Sequence, residues 1–358
     1  MPLRGFDEEA GAVFGTLADA GLPLALTPTL DTALAAIGRR PRDYSSKFRL
    51  ELDAGAGAAT AVRAILSRLL DDLERNEHGT RYDIDPEFLH DYRVAVRRTR
   101  SALSVLGHAL DPDTARPFVE SFRELGRVTG GKRNLDVHLL DFDAHLALLD
   151  APRREALAEL RTLFEVRRDA AGAELAAYLA SRGYRDFKRR YRRFVGAGTG
   201  TDPGRDWPLA DFAARNIWKA YRKILEHGRA IYDLSPDEAL HDLRKRGKKL
   251  RYLMEFFQDL YPRREIKPAL AELKALQDHL GLFRDQCVQI ETLEALGAGD
   301  IDPLAGAAVN ELVDGLTNER RRTRAAFADH FARFDAPARR ACFATAFKPS
   351  KHARKEYR

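Results

Sequence analysis

Apolar residues return every three or four positions along most of this chain, the spacing of helices that bury one face. The clearest stripe is Tyr92, Ala95, Val96, Thr99, Ala102, Leu103 and Leu106. A second runs through Leu243, Leu250, Leu253, Met254 and Phe257. The two-residue alternation of half-buried strands is scarce, as are Asn-Gly turns. The pattern therefore predicts an all-α fold. Its helices are expected over 57–75, 86–108, 113–128, 133–149 and 153–193, then over 208–230, 237–259, 263–280, 284–297 and 302–333. Pro86 after Asp85 and Pro236 after Ser235 are helix-start signals just ahead of the two stripes. The stretch Gly196 to Pro208, rich in Gly, Thr and Pro, reads as a linker.

The polar positions beside the two stripes repeat. His90 leads to Arg93, Arg97, Arg98 and Arg100, and His241 leads to Arg244, Lys248, Lys249 and Arg251, all in a register of 151 residues. At about 100° per residue, positions 90, 93, 97 and 100 fall within roughly 80° of one another on a helix. Each helix thus has one face for a core and one for cations, with Arg98 and Lys249 at the border of the stripe. A solvated face usually mixes signs in Glu–Lys pairs four apart. Here Asp91 and Asp242 are the only acids within 90–100 and 241–251.

The register extends to Arg123 with Lys274, Leu125 with Leu276, Gly130 with Gly281, Arg133 with Arg284 and Val137 with Val288. Asn134 departs from it, standing opposite Asp285. A repeat of this length predicts a unit of several helices used twice, in two similar halves that face each other across a positive surface. The expected division is an N-terminal extension over 1–54, a first half over 55–195, a linker over 196–207, a second half over 208–335 and a basic tail over 336–358.

Composition narrows the class. Of the 358 residues 44% are apolar, enough for a substantial core. The two cysteines, Cys287 and Cys342, lack metal-ligand spacing, so a disulfide framework is not expected and a reducing compartment fits. No apolar run reaches the roughly 18 residues of a membrane span, and the N-terminus lacks a secretory pattern, which makes the cytoplasm the expected location. The net charge of +6 is modest. Clustering matters more: 241–251, 185–193 and 320–324 are each dense in Arg and Lys, a distribution that attracts polyanions and makes binding salt-dependent.

Catalytic signatures are missing. The chain has no HExxH, no Walker loop, no glycine fingerprint and no acid cluster suited to Mg²⁺. Asp91 and Asp242 follow His90 and His241 directly, and neighbours on a helix do not face each other. The cations nearby would repel a metal ion, so neither metal nor cofactor is expected. For the histidines, hydrogen-bond donation beside the cations stands against a phosphohistidine role and a purely structural first-turn role. Arg and Lys on a rigid face suit phosphate. Nucleic-acid binders interleave aromatics that stack on bases, whereas Tyr92 and Tyr252 lie on the apolar side.

The strings Leu89-His90-Asp91-x-Arg93 with Arg97-Arg98-x-Arg100, and Leu240-His241-Asp242-x-Arg244 with Lys248-Lys249-x-Arg251-Tyr252, resemble those of the CHAD domain, a histidine-bearing α-helical domain. Leu280-Gly281-x-x-Arg284-Asp285 resembles it too, with a weaker copy at Gly130 to Asn134. The resemblance covers about 55–335. It implies two four-helix bundles related by a pseudo-twofold, basic helices lining a central channel, and binding of inorganic polyphosphate, often at polyphosphate granules. It also implies a ligand set of His90, Arg93, Arg97, Arg98, Arg100, Arg123 and Arg133, with His241, Arg244, Lys248, Lys249, Arg251, Lys274 and Arg284 as counterparts. Residues 20–52 are similar to the end of a triphosphate-tunnel (CYTH) domain, too short to form its barrel, which argues against triphosphatase activity. The expectation is a non-enzymatic polyphosphate binder without membrane contact; the competing reading is a nucleic-acid binder using the same basic groove.

Overall fold

The computed structural model describes residues 7–22, 28–36, 38, 45, 47–146, 149–197, 207–297 and 302–349. The N-terminal unit, Met1–Phe48, holds helix α1 (Asp7–Asp19) and helix α2 (Thr29–Ala36). The tunnel-domain similarity over 20–52 rests partly on residues 23–27, 39–44 and 46, which lie outside the described residues.

The remaining unit, Arg49–Arg358, is built from helices throughout. Its first part runs α3 (Ala58–Arg81), α4 (Pro86–Leu106), α5 (Pro112–Leu146), α6 (Ala151–Ala156), α7 (Ala158–Ala180) and α8 (Arg182–Gly196). The second runs α9 (Leu209–Arg229), α10 (Asp237–Phe256), α11 (Arg263–Gly297), α12 (Pro303–Ala325), α13 (Phe327–Phe334) and α14 (Pro337–Phe347). Short 3₁₀ turns, Gly107–Ala109 and Gln258–Leu260, follow α4 and α10. Among the described residues the β-type pairing is one isolated bridge, Gly57 to Pro208. The expected all-α class is what forms.

Local chemistry explains most boundaries. Asp85 caps α4 by accepting from the Glu87 amide at 2.7 Å, with Pro86 as the first helical residue. At α10 the arrangement differs, because Pro236 itself occupies the cap and the Ser235 hydroxyl instead accepts from the Tyr232 amide. All the residues of both predicted apolar stripes are buried. Burial of that kind, worth about 1.5–3 kcal/mol per large side chain, holds the basic helices in place.

Several boundaries correct the sequence reading. The expected helices 113–128 and 133–149 are one helix, α5, and 263–280 and 284–297 are likewise one, α11; each has 35 residues. Glycine costs a helix only about 1 kcal/mol against alanine, and the packed faces of α5 and α11 outweigh it. The expected 153–193 helix is three, α6 to α8, with the Ser181 hydroxyl capping α8 at the Tyr184 amide. The segment read as a tail from 336 contributes α14, whose Phe343 and Phe347 are fully buried. Phe343 stacks on Tyr221 of α9, ring centres 4.1 Å apart, so the core of the second part needs this helix. Most of the linker read over 196–207 lies outside the described residues.

The two parts interlock at three places. Phe142 of α5 and Leu293 of α11 join Leu157, Phe164, Ala308, Val309 and Leu312 in one apolar cluster. The Ala58 amide donates to the Trp207 carbonyl at 2.9 Å, tying the starts of α3 and α9. Arg98 of α4 meets Glu255 of α10 at 2.8 Å.

Candidate functional site

The cations sit where α4 and α10 turn away from the core. On α4, Arg93 lies against α5: its Nη1 donates to the Gly126 carbonyl at 3.2 Å and to Thr129 Oγ1 at 2.9 Å. Gly126 and Gly130 leave that strip of α5 bare; a Cβ on Gly130 would stand 3.5 Å from the same nitrogen. Thus the Arg93 guanidinium packs along this bare strip of α5. Arg93, Arg97 and Arg100 from α4, with Arg123 and Arg127 from α5, line a cavity of about 330 Å³. Burial, then the charges of Arg97 and Arg133, lower the Arg93 pKa to about 10. Arg123 is tied to Glu120, and Arg127 is held by both oxygens of Glu124. Arg97 makes no ion pair among the described residues.

His90 stands at the end of this row with Nδ1 3.2 Å from Arg133 Nη2. A guanidinium only donates, so Nδ1 accepts and the neutral ring carries its proton on Nε2. Burial first, then Arg133, hold the His90 pKa below its ordinary value. His241 is held down in the same way, by burial followed by Lys245, Arg284 and Arg244.

From α10, Arg244 and Lys248 approach Arg97. Arg244 has only a long contact to the exposed Asp285, at 3.9 Å. Lys248 makes no ion pair among the described residues. Burial, followed by the charges of Arg244 and Arg97, pulls the Lys248 amine down to about 7. The residues expected from sequence thus divide: His90, Arg93, Arg97, Arg100, Arg123 and Arg133 share one row, and Arg97, Arg244 and Lys248 meet across the two parts.

Other members of the expected set are elsewhere. Arg98 is 7% exposed, bonded to Glu255 at 2.8 Å and lying over the Tyr252 ring. Glu255 also receives Arg251 Nε at 2.6 Å. Arg98 and Arg251 therefore belong to the α4–α10 packing. Lys274 is exposed and paired with Asp278 along α11, and Arg284 is paired with Glu291 at 3.0 Å. Lys249 turns from Lys248 toward Arg246, Arg100 and Lys223. The sequence reading missed Arg127, although its spacing of four from Arg123 puts it on the same face of α5. It missed too the buried network in which Lys132 meets Asp83 and Asp136, with Arg168 closing the group.

The CHAD domain family model matches residues 64–294. A search of the curated proteins finds no match. Among solved structures, the CHAD domain from the plant Ricinus communis is similar at 27% identity and a TM-score of 0.64, covering 86% of this chain and 99% of that one. PptA from Streptomyces chartreusis shares the fold at 17% identity and a TM-score of 0.58, covering 77% of this chain and 99% of that one. No helix among the described residues is long and apolar enough to cross a membrane. A family match over most of the chain, on an all-helical fold with a paired basic row, means that the chain belongs to the CHAD domain family.

Proposed function

We propose that this protein binds inorganic polyphosphate along the cationic row of α4, α5 and α10, without catalysing its cleavage. The CHAD family is linked to polyphosphate binding in general. The observation that carries the reading is the meeting of Arg97, Arg244 and Lys248 with a single carboxylate beside them, the exposed Asp285 at 3.9 Å from Arg244. Three cations held together in partial burial repel one another, and the charges of Arg244 and Arg97 help to lower the Lys248 pKa. A chain of phosphoryl groups relieves that repulsion, and forked Arg donors and a Lys point charge suit its oxygens. Neutral His90, with its proton on Nε2, is placed to donate alongside.

On this reading α4–α5 and α10–α11 are two copies of one ancestral unit, with 35-residue helices spaced like the basic strings. Binding without chemistry also suits recruitment of the protein to cytoplasmic polyphosphate granules. The test is charge removal. Arg97→Gln with Lys248→Gln is expected to weaken long-chain polyphosphate at least about tenfold, while Lys351→Gln with Arg354→Gln changes it little, measured by calorimetry at fixed salt. Equal losses would make the row ordinary surface. Release of orthophosphate by the wild-type chain with Mg²⁺ would overturn the non-catalytic reading.

A further inference from the structure

A second cationic cleft, of about 1120 Å³, lies between α9, α10 and the C-terminal end of α4. Lys219, Arg222 and Lys223 reach it from α9, and Arg246 and Lys249 from α10. Positions 215, 219, 222 and 226 follow a helical period, so one face of α9 supplies its wall. None of those five cations makes an ion pair among the described residues. The lining includes a single acid, Glu226, while Arg229 at the margin is held by Asp335 at 2.7 Å. This contrasts with the first cavity, where Arg123 and Arg127 are each tied to a glutamate.

The cleft is specific to this part of the chain. In the 151-residue register, which the buried faces of α3 and α9 keep, Arg222 and Lys223 stand opposite Asp71 and Asp72 of α3, and Lys219 stands opposite Arg68, which Asp72 pairs at 3.0 Å. The repeat therefore does not account for Arg222 and Lys223, nor for Lys219 standing without the carboxylate that its counterpart has. Lys249 also has Arg100 as a charged neighbour, and Arg100 lines the first cavity. Cationic side chains thus lead from one cavity to the other.

We propose that the α9–α10 cleft is a second binding site for an anion of several phosphoryl groups, and that Arg100 and Lys249 join it to the first. Five unpaired cations on two helices exceed what one orthophosphate can meet, and match a linear polyphosphate. This rests on the polyphosphate reading, and it adds that one long chain occupies both sites. A long chain then gains from effective concentration, because its second contact is intramolecular.

Both tryptophans of the chain, Trp207 and Trp218, line this cleft, so intrinsic fluorescence reports on it. The test titrates the full chain with tripolyphosphate and with long-chain polyphosphate, following tryptophan emission and calorimetric heat. Three proteins are compared: wild type, Lys219→Gln with Lys223→Gln, and Arg93→Gln with Arg97→Gln. All four positions are at the surface or its margin, and circular dichroism checks the fold of each variant.

The expected result is an emission change with tripolyphosphate that the α9 variant loses by at least about tenfold in concentration and the α4 variant keeps. Removing two contacts should also lower the salt slope of long-chain binding by roughly 1–2. An α9 variant indistinguishable from wild type in emission and salt slope would overturn the second site and leave the first intact. Emission loss confined to the α9 variant, with long-chain affinity insensitive to the α4 variant, would support the cleft and sink the first site. No binding of either anion to wild type would overturn both.

Discussion

At the residue scale, Lys248 gives the sharpest expectation. Its pKa is lowered to about 7 in the free protein by burial and by Arg244 and Arg97. A bound polyanion restores the charged form and moves the group back toward an ordinary lysine. Between those two values the complex holds a proton that the free protein lacks. Binding near pH 8 should therefore take up as much as about one proton, and affinity should fall as pH rises above about 7. Calorimetry in two buffers of different ionisation enthalpy measures the uptake, and Lys248→Met should remove it. Equal uptake in that variant would assign the proton elsewhere. The individual cations were legible in the sequence as a set, but their partners were not. Arg98 and Arg251 share the basic string, yet Glu255 claims both. The spacing of four from Arg251 to Glu255 was a readable sign of pairing for one of them. The contact from Arg98 joins residues 157 apart and has no local signal.

At the element scale, the apolar stripes of α4 and α10 were fully readable, because helical period and burial follow one rule. The breaks expected between 128 and 133 and between 280 and 284 do not form, and α5 and α11 pass through Gly130, Gly131 and Gly281. Their use depends on what packs beside them, which a local reading does not contain. The α14 helix was hidden for a related reason, since only the docking of Phe343 on Tyr221 makes the segment structural. The Arg98–Glu255–Arg251 group carries a prediction about the α4–α10 contact. Glu255→Gln leaves two guanidiniums sharing a neutral partner, with Arg98 almost fully buried. The cost should approach about 3 kcal/mol, the range seen when one partner of a buried pair is removed. Denaturant unfolding measures it; a loss below about 0.5 kcal/mol would place the group among ordinary surface pairs.

At the scale of the whole molecule, a net charge of +6 describes the protein poorly. Some of its cations are neutralised by neighbours, while others, among them Arg97 of α4, Lys219 and Lys223 of α9 and Lys248 of α10, make no ion pair among the described residues. The duplicated string made the first cavity legible in the sequence itself. The α9 cleft was not, because Arg222 and Lys223 stand opposite acids in the repeat and meet Arg246 only in the fold. The central claim is that this surface recognises a phosphate chain and not the bases of a nucleic acid. The most direct measurement titrates the protein with long-chain polyphosphate, single-stranded RNA and duplex DNA, at matched phosphate concentration and at two salt levels. Polyphosphate should bind more tightly than either nucleic acid at both salts, with every affinity falling as salt rises. Equal or stronger binding of RNA or DNA would contradict it.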